Sequence, residues 1–81
     1  MALRNFTLSE LTLYNGRNGS PAYVAYQGLV YDVTASWHWR GGRHWSAHTA
    51  GHDLTIEIVD APHDESLLMK FPVVGTIIDE L

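Results

Sequence analysis

Cysteine is absent from this 81-residue chain. Its absence excludes disulfide staples, iron–sulfur clusters, thiolate zinc fingers and covalent thioether attachment of a cofactor. Basic residues are also scarce: five Lys and Arg stand against nine Asp and Glu, for a formal charge of −4. A nucleic-acid binder needs a basic face, so that class is set aside, whereas steering toward a basic protein remains open. No apolar run approaches the length of a membrane-crossing helix, and Met1-Ala2-Leu3-Arg4 opens no signal peptide. The closing Asp79-Glu80-Leu81 follows Ile78, where an endoplasmic-reticulum retention tetrapeptide requires Lys or His. A cytoplasmic protein with no membrane insertion is therefore expected. What the chain does have is an ordinary apolar share of 46% with 17% charged residues, which excludes wholesale disorder. Residues 1–81 make one domain, near the size at which a single core gives marginal stability. A bound cofactor is one of the few remaining sources of extra stability for such a chain.

Local signals divide the chain into short elements. Phe6-Thr7-Leu8-Ser9-Glu10-Leu11 reads as a helix start: Thr7 caps free amides, Glu10 reaches back, and Phe6 packs on Leu11. Leu8, Leu11 and Leu13 are expected to form its apolar side. Asn15-Gly16 and Asn18-Gly19-Ser20-Pro21 break the helix. Ala22 to Tyr26 and Leu29 to Thr34 predict two strands joined by a tight Gln27-Gly28 turn. After an irregular stretch through Gly41-Gly42, Arg43 to Thr49 is expected to form a short helix closed by Ala50-Gly51. Asp53 then predicts the N-cap of a helix reaching about Asp60, with Leu54, Ile58 and Ala61 inward, ended by Pro62. Asp64 caps a further short helix carrying Leu67, Leu68 and Met69, and Pro72 to Ile78 returns as a strand.

Chemistry concentrates between Ser36 and His63, which hold all five histidines and all three tryptophans. Imidazole is the commonest nitrogen ligand for transition metals, and aromatic walls exclude water from a flat cofactor. Two short helical hairpins holding a metal-centred prosthetic group would use such a stretch. The serines at 9, 20, 36, 46 and 66 sit in no nucleophile-elbow pattern, so a hydrolase is not expected, nor any other enzyme.

Several motifs, in order along nearly the whole chain, carry a resemblance. They are Phe6-Thr7-Leu8-Ser9-Glu10-Leu11, Leu29-Val30-Tyr31-Asp32-Val33-Thr34, Ala50-Gly51-His52-Asp53-Leu54-Thr55, Pro62-His63 and Val74-Gly75-Thr76-Ile77. Together they resemble the cytochrome b5-like haem/steroid-binding domain family, in a prokaryotic branch lacking the usual His-Pro-Gly-Gly. The resemblance implies an α+β fold: a small mixed β-sheet with two short helical hairpins forming a haem cleft. It further implies non-covalent haem b, two axial imidazoles and a one-electron role. His63 stands where the family places a haem ligand. The family's other ligand motif, counted back from Ala50-Gly51, falls on Trp39-Arg40-Gly41-Gly42, so the glycines are kept and Trp39 replaces the histidine. A related branch, the membrane-associated progesterone-receptor type, uses a tyrosine in this region, but no tyrosine lies between Ser36 and His63 here.

The second ligand is therefore sought among His38, His44 and His48. His44 is preferred because it closely follows the Gly41-Gly42 bend, where backbone can approach a cofactor; His48 is the alternative. Trp39, Gly41, Gly42, Trp45, Leu54, Ile58 and Phe71 are the expected cofactor-lining residues. Leu54, Ile58 and Phe71 serve equally as core, Trp37 is read as core, and His52 is expected to face water. Asp53, Glu57, Asp60, Asp64 and Glu65 are partly helix caps and partly a candidate rim for a basic partner. The expected partner is a redox protein, basic or membrane-bound, meeting a monomeric domain. Two rival functions stay open. One is a sterol, small-hydrophobic-ligand or interaction module of the same fold without strong haem ligation. The other is a zinc site of His44, His48 and His63.

Overall fold

The computed structural model describes residues 3–35, 43–44, 48–59, 66 and 68–78. The chain order is β1 (Arg4–Phe6), α1 (Leu8–Leu11), β2 (Tyr23–Tyr26), β3 (Leu29–Asp32), β4 (Arg43–His44), β5 (His48–Thr49), α2 (Thr55–Val59) and β6 (Val73–Ile77). Four strands form one mixed sheet in the order β1-β6-β3-β2, with β1 parallel to β6 and the other contacts antiparallel. The α+β class and the small mixed sheet expected from the sequence are both present.

The β2–β3 hairpin forms where Tyr26 and Leu29 pair across a two-residue turn. Gln27 at φ +50° and Gly28 at φ +82° supply the two positive dihedrals that a right-twisted hairpin prefers. Side chains then alternate with period two. Val24, Tyr26 and Tyr31 join the larger core with Val33, Ala50 and Leu54, which also holds Ile58 and Leu68. Ala25 and Val30 point the other way, into a smaller core with Phe6 and Leu11. Both faces of β2 and β3 are thus covered, and a one-residue slip in register would exchange the two cores. β6 carries an irregularity that suits this arrangement. Val30 pairs with Gly75 but Tyr31 pairs with Val73, leaving Val74 as an extra residue. The bulge lets Val73 pack toward the larger core and Val74 toward the smaller.

Gly75 is required by packing. A Cβ there would meet the Arg4 carbonyl oxygen and the Phe6 ring, whose Cδ1 lies 2.7 Å away. Phe6 is fully buried and is met edge-on by Tyr14 and Tyr23, which stack at 4.6 Å with planes 9° apart. Arg4 closes this cluster, its guanidinium 4.4 Å from the Phe6 centroid and 3.2 Å from the Tyr14 hydroxyl to which it donates.

At α1 the capping box forms as the sequence predicts. The Glu10 amide donates to Thr7 Oγ1 at 3.1 Å and the Thr7 amide to Glu10 Oε1 at 2.9 Å. Phe6 and Leu11 share the smaller core. The expected apolar side of Leu8, Leu11 and Leu13 is corrected: only Leu11 is buried, while Leu8 and Leu13 face water. One helical turn has room for a single inward position.

A second correction concerns residues 43–49. In place of a helix, Arg43 pairs with Thr49 and His44 with His48 as a two-stranded antiparallel ladder. His, Trp, Ser and Thr are among the weaker helix formers, and a stretch this short cannot repay helix nucleation by itself. The first of the two expected helical hairpins is, over these residues, a β-hairpin.

Candidate functional site

Two segments carry the candidate ligands, and each leaves the sheet from a fixed point. The first follows the end of β3. Asp32 Oδ1 accepts from the Thr34 amide at 2.9 Å and from Thr34 Oγ1 at 2.5 Å, and Thr34 Oγ1 in turn accepts from the Ala22 amide at 2.9 Å. The Val33 amide donates to the Ala22 carbonyl, also at 2.9 Å. This knot holds the point from which the chain departs toward the histidine-rich segment.

The second segment begins at Ala50. Ala50 is buried and Gly51 adopts φ +90°, its α-carbon facing the Leu11 and Thr12 carbonyls so closely that a Cβ would sit 3.4 Å from each. The chain then runs along the outer edge of β2. Gly51 N donates to the Tyr23 carbonyl at 2.7 Å, Ala25 N to the His52 carbonyl at 3.1 Å, and Leu54 N to the Ala25 carbonyl at 2.8 Å. Asp53 Oδ1 accepts from the Thr55 amide at 3.0 Å and from Thr55 Oγ1 at 2.6 Å, while Thr55 Oγ1 accepts from the Gln27 amide at 2.8 Å. Asp53 was expected to be the N-cap itself. The helix Thr55–Val59 starts so that Ile58 N reaches the Leu54 carbonyl, and Asp53 acts from one residue further back. Burial of Leu54 displaces it from the cap: the apolar residue must face the core at the helix start, so the carboxylate works from the preceding position.

Of the expected cofactor-lining residues, Leu54 and Ile58 sit within the larger core, and Phe71 is half-buried and packs against it. His52 is exposed, as expected for its place between Gly51 and Asp53. His44 and His48 are directly opposed register partners on the β4–β5 hairpin. Trp39, Gly41, Gly42, Trp45 and His63 lie outside the described residues, as do His38, Trp37, Ala61, Pro62, Asp64 and Leu67. Leu68 is buried in the larger core, whereas Met69, expected beside it, is exposed. Among the described residues no helix is long and apolar enough to cross a membrane. Sequence reasoning missed the two knots around Thr34 and Thr55. The repeated Asp-x-Thr spelling at 32–34 and 53–55 was the signal available for finding them.

The donor chemistry fits an iron porphyrin. Histidines occupy opposed register positions of one hairpin, the chain has no thiol, and a half-buried phenylalanine packs against the apolar core.

Comparison with known proteins agrees with this architecture. The family model described as Cytochrome b5-like Heme/Steroid binding domain matches residues 7–78. A Hadesarchaea cytochrome b5 domain protein is 59% identical with a TM-score of 0.88, covering 94% of this chain and 100% of its own. A Methanococcoides burtonii cytochrome b5 domain protein is 51% identical with a TM-score of 0.89, covering 95% of this chain and 100% of its own. A neuferricin homolog from Drosophila pseudoobscura pseudoobscura is 33% identical over 64 residues, which are 73% of this chain and 21% of that protein. The chain therefore spans about a fifth of that curated relative's length. Domains of this kind are generally binding or electron-transfer modules. By the match over residues 7–78 and by the sheet it shares with both archaeal proteins, the chain belongs to the cytochrome b5-like haem/steroid-binding domain family.

Proposed function

We propose that this domain binds haem b non-covalently and carries single electrons, with axial imidazoles from His63 and from the β4–β5 hairpin. His44 is the ligand on the hairpin side and His48 the alternative. The observation that carries the reading is the direct pairing of His44 with His48. The pairing places the two histidines at directly opposed positions of one ladder, so this short hairpin offers two candidate donors side by side. It also explains how the chain manages without a histidine at position 39. The β4–β5 hairpin, which begins directly after Gly41-Gly42 in the sequence, supplies the donor a few residues further along.

The remaining roles follow from residue chemistry. Gly41 and Gly42 permit close backbone approach, and Trp39 and Trp45 exclude water. Leu54 and Ile58 support the α2 side from within the core, with Phe71 at its edge. A haem held by two neutral imidazoles supplies a one-electron centre with no open coordination position. A binding and electron-transfer role, rather than catalysis, follows from that closed coordination. The partner is a redox protein, basic or membrane-bound, drawn by the acidic residues around α2, and the domain acts as a cytoplasmic monomer.

Hemin titration of wild type beside His44→Ala, His48→Ala and His63→Ala tests the reading. Wild type should saturate at one equivalent with the absorption spectrum of six-coordinate low-spin iron. His63→Ala and the hairpin-ligand variant should lose that spectrum, whereas the other hairpin variant keeps it. A wild-type protein that takes up no hemin overturns the proposal. Stoichiometric zinc without iron would replace it with the three-histidine site. Hydrophobic-ligand binding indifferent to loss of both His44 and His63 would replace it with the ligand-binding module.

A further inference from the structure

The two Asp-x-Thr knots are built alike, bond for bond. In each, the aspartate Oδ1 accepts from the threonine amide, at 2.9 Å in one and 3.0 Å in the other. In each it also accepts from the threonine hydroxyl, at 2.5 and 2.6 Å. That hydroxyl accepts a backbone amide from a residue flanking β2, from Ala22 at 2.9 Å and from Gln27 at 2.8 Å. The residue between aspartate and threonine, Val33 or Leu54, is buried in the same larger core. Each middle residue also donates its amide to a carbonyl at or within β2, Val33 to Ala22 just before the strand and Leu54 to Ala25 inside it.

We propose that Asp32–Thr34 and Asp53–Thr55 are a matched pair of positioning clamps that fix the separation of the two ligand-bearing segments, with β2 as the spacer between them. The proposal rests on the haem reading above. Its geometry comes from where the clamps grip. Ala22 and Gln27 are the residues flanking β2, so the gripped amides are five residues apart. At a strand rise of ~3.3 Å per residue that is a span of ~17 Å. The chain leaving the Thr34 clamp enters the segment with His38, His44 and His48, and the chain leaving the Thr55 clamp is α2, which leads to Pro62-His63. β2 is tied on one side by its ladder with β3 and on the other by the amides and carbonyls of residues 51–54, which makes it a stiff element for so small a domain. Tying each segment to one end of it removes the hinge freedom that two loops would otherwise add to the site.

The threonine hydroxyl is the working part. Its proton goes to the aspartate and one of its lone pairs takes the amide at one end of β2, so one oxygen joins carboxylate to strand end. Valine keeps the shape and removes both bonds, and serine keeps both bonds. Thr34→Val and Thr55→Val should each speed haem release from the loaded domain by ~10-fold or more, as loss of an outer-sphere support does for a metal ligand. Thr34→Ser and Thr55→Ser should stay within about twofold of wild type, well short of that ~10-fold effect. Thr7→Ala, which removes the equivalent hydroxyl from the α1 cap, is the control for a general loss of stability. In the ligand-free protein, amide exchange at Ala22 should accelerate in Thr34→Val alone, and exchange at Gln27 in Thr55→Val alone. Wild type that binds hemin while both valine variants release it at the Thr7→Ala rate overturns the clamps and leaves the haem reading standing. Wild type that binds no hemin overturns the haem reading and the clamp proposal with it.

Discussion

Replacing Gly75 by alanine adds one methyl group, and the structure gives that group nowhere to go. It would meet the Phe6 ring edge, with Cδ1 at 2.7 Å, and the carbonyl oxygen of Arg4. Neither neighbour yields easily. Phe6 has no exposed surface and is wedged against Tyr14 and Tyr23, while Arg4 pairs with Gly75 itself in the β1–β6 ladder. Overpacking usually costs about 1–3 kcal/mol, and two fixed obstacles place Gly75→Ala near the upper end, at about 3 kcal/mol. For a domain of this size each kcal/mol lowers Tm by roughly 4–8 °C, so a fall of roughly 12–24 °C is expected. Thermal melts followed by circular dichroism, with urea titration as a second measure, read the effect directly. The Phe6→Leu background separates the obstacles. If the ring is the main one, Gly75→Ala costs less there than in wild type; if the Arg4 carbonyl dominates, the cost is unchanged. A Tm within about 2 °C of wild type would falsify the packing account of Gly75, since the smallest cost considered is about 1 kcal/mol.

Other outcomes follow from the same geometry. Burial, then the Asp32 carboxylate, raises the Tyr23 phenol above its usual 10.0, so the unfolded chain gives up that proton first and stability declines as pH climbs past 10.0. Tyr23→Phe should flatten the decline in alkaline urea titrations, and an unchanged slope counts against the assignment. Ile58→Ala opens a cavity at a fully buried site and should lower stability by about 2–5 kcal/mol, measured by urea unfolding. Gln27→Asn places a residue tolerant of φ +50° in the hairpin turn and should raise Tm, by an amount on the order of 0.5 kcal/mol of added stability. If hemin is held by imidazoles, acid should release it, because protonated imidazole cannot ligate; spectra that keep their low-spin form down to about pH 3 would rule against histidine ligation.

Much of the architecture could be read from the chain because local chemistry specified it. Thr7 and Glu10 name their own capping box, and the Gln27-Gly28 turn between two runs of strand formers names its own hairpin. β1 escaped notice for the opposite reason. Its three residues are a strand only because β6, about seventy positions later, lies beside them, and no local pattern encodes that. The β4–β5 ladder is not legible as one, because positions 44 and 48 fall on one helix face as readily as on opposed places of a ladder. Leu13 was placed inside by spacing alone, whereas the helix ends before spacing can apply to it. Around the candidate site, the histidine inventory and the core positions of Leu54 and Ile58, with Phe71 packed against them, were legible. The hydroxyls of Thr34 and Thr55 were not, because their partners are amides on another strand.

β6 comes last among the described strands and yet lies second in the sheet, between β1 and β3. During synthesis, Arg4–Phe6 emerges well before residues 73–77, its ladder partner among the described strands. The β2–β3 hairpin can close early, but the sheet cannot. Assembly is therefore completed by threading the final strand between two earlier ones, and a nascent chain stalled before Val73 would hold Phe6 and Val30 without the neighbour that joins their sides of the core.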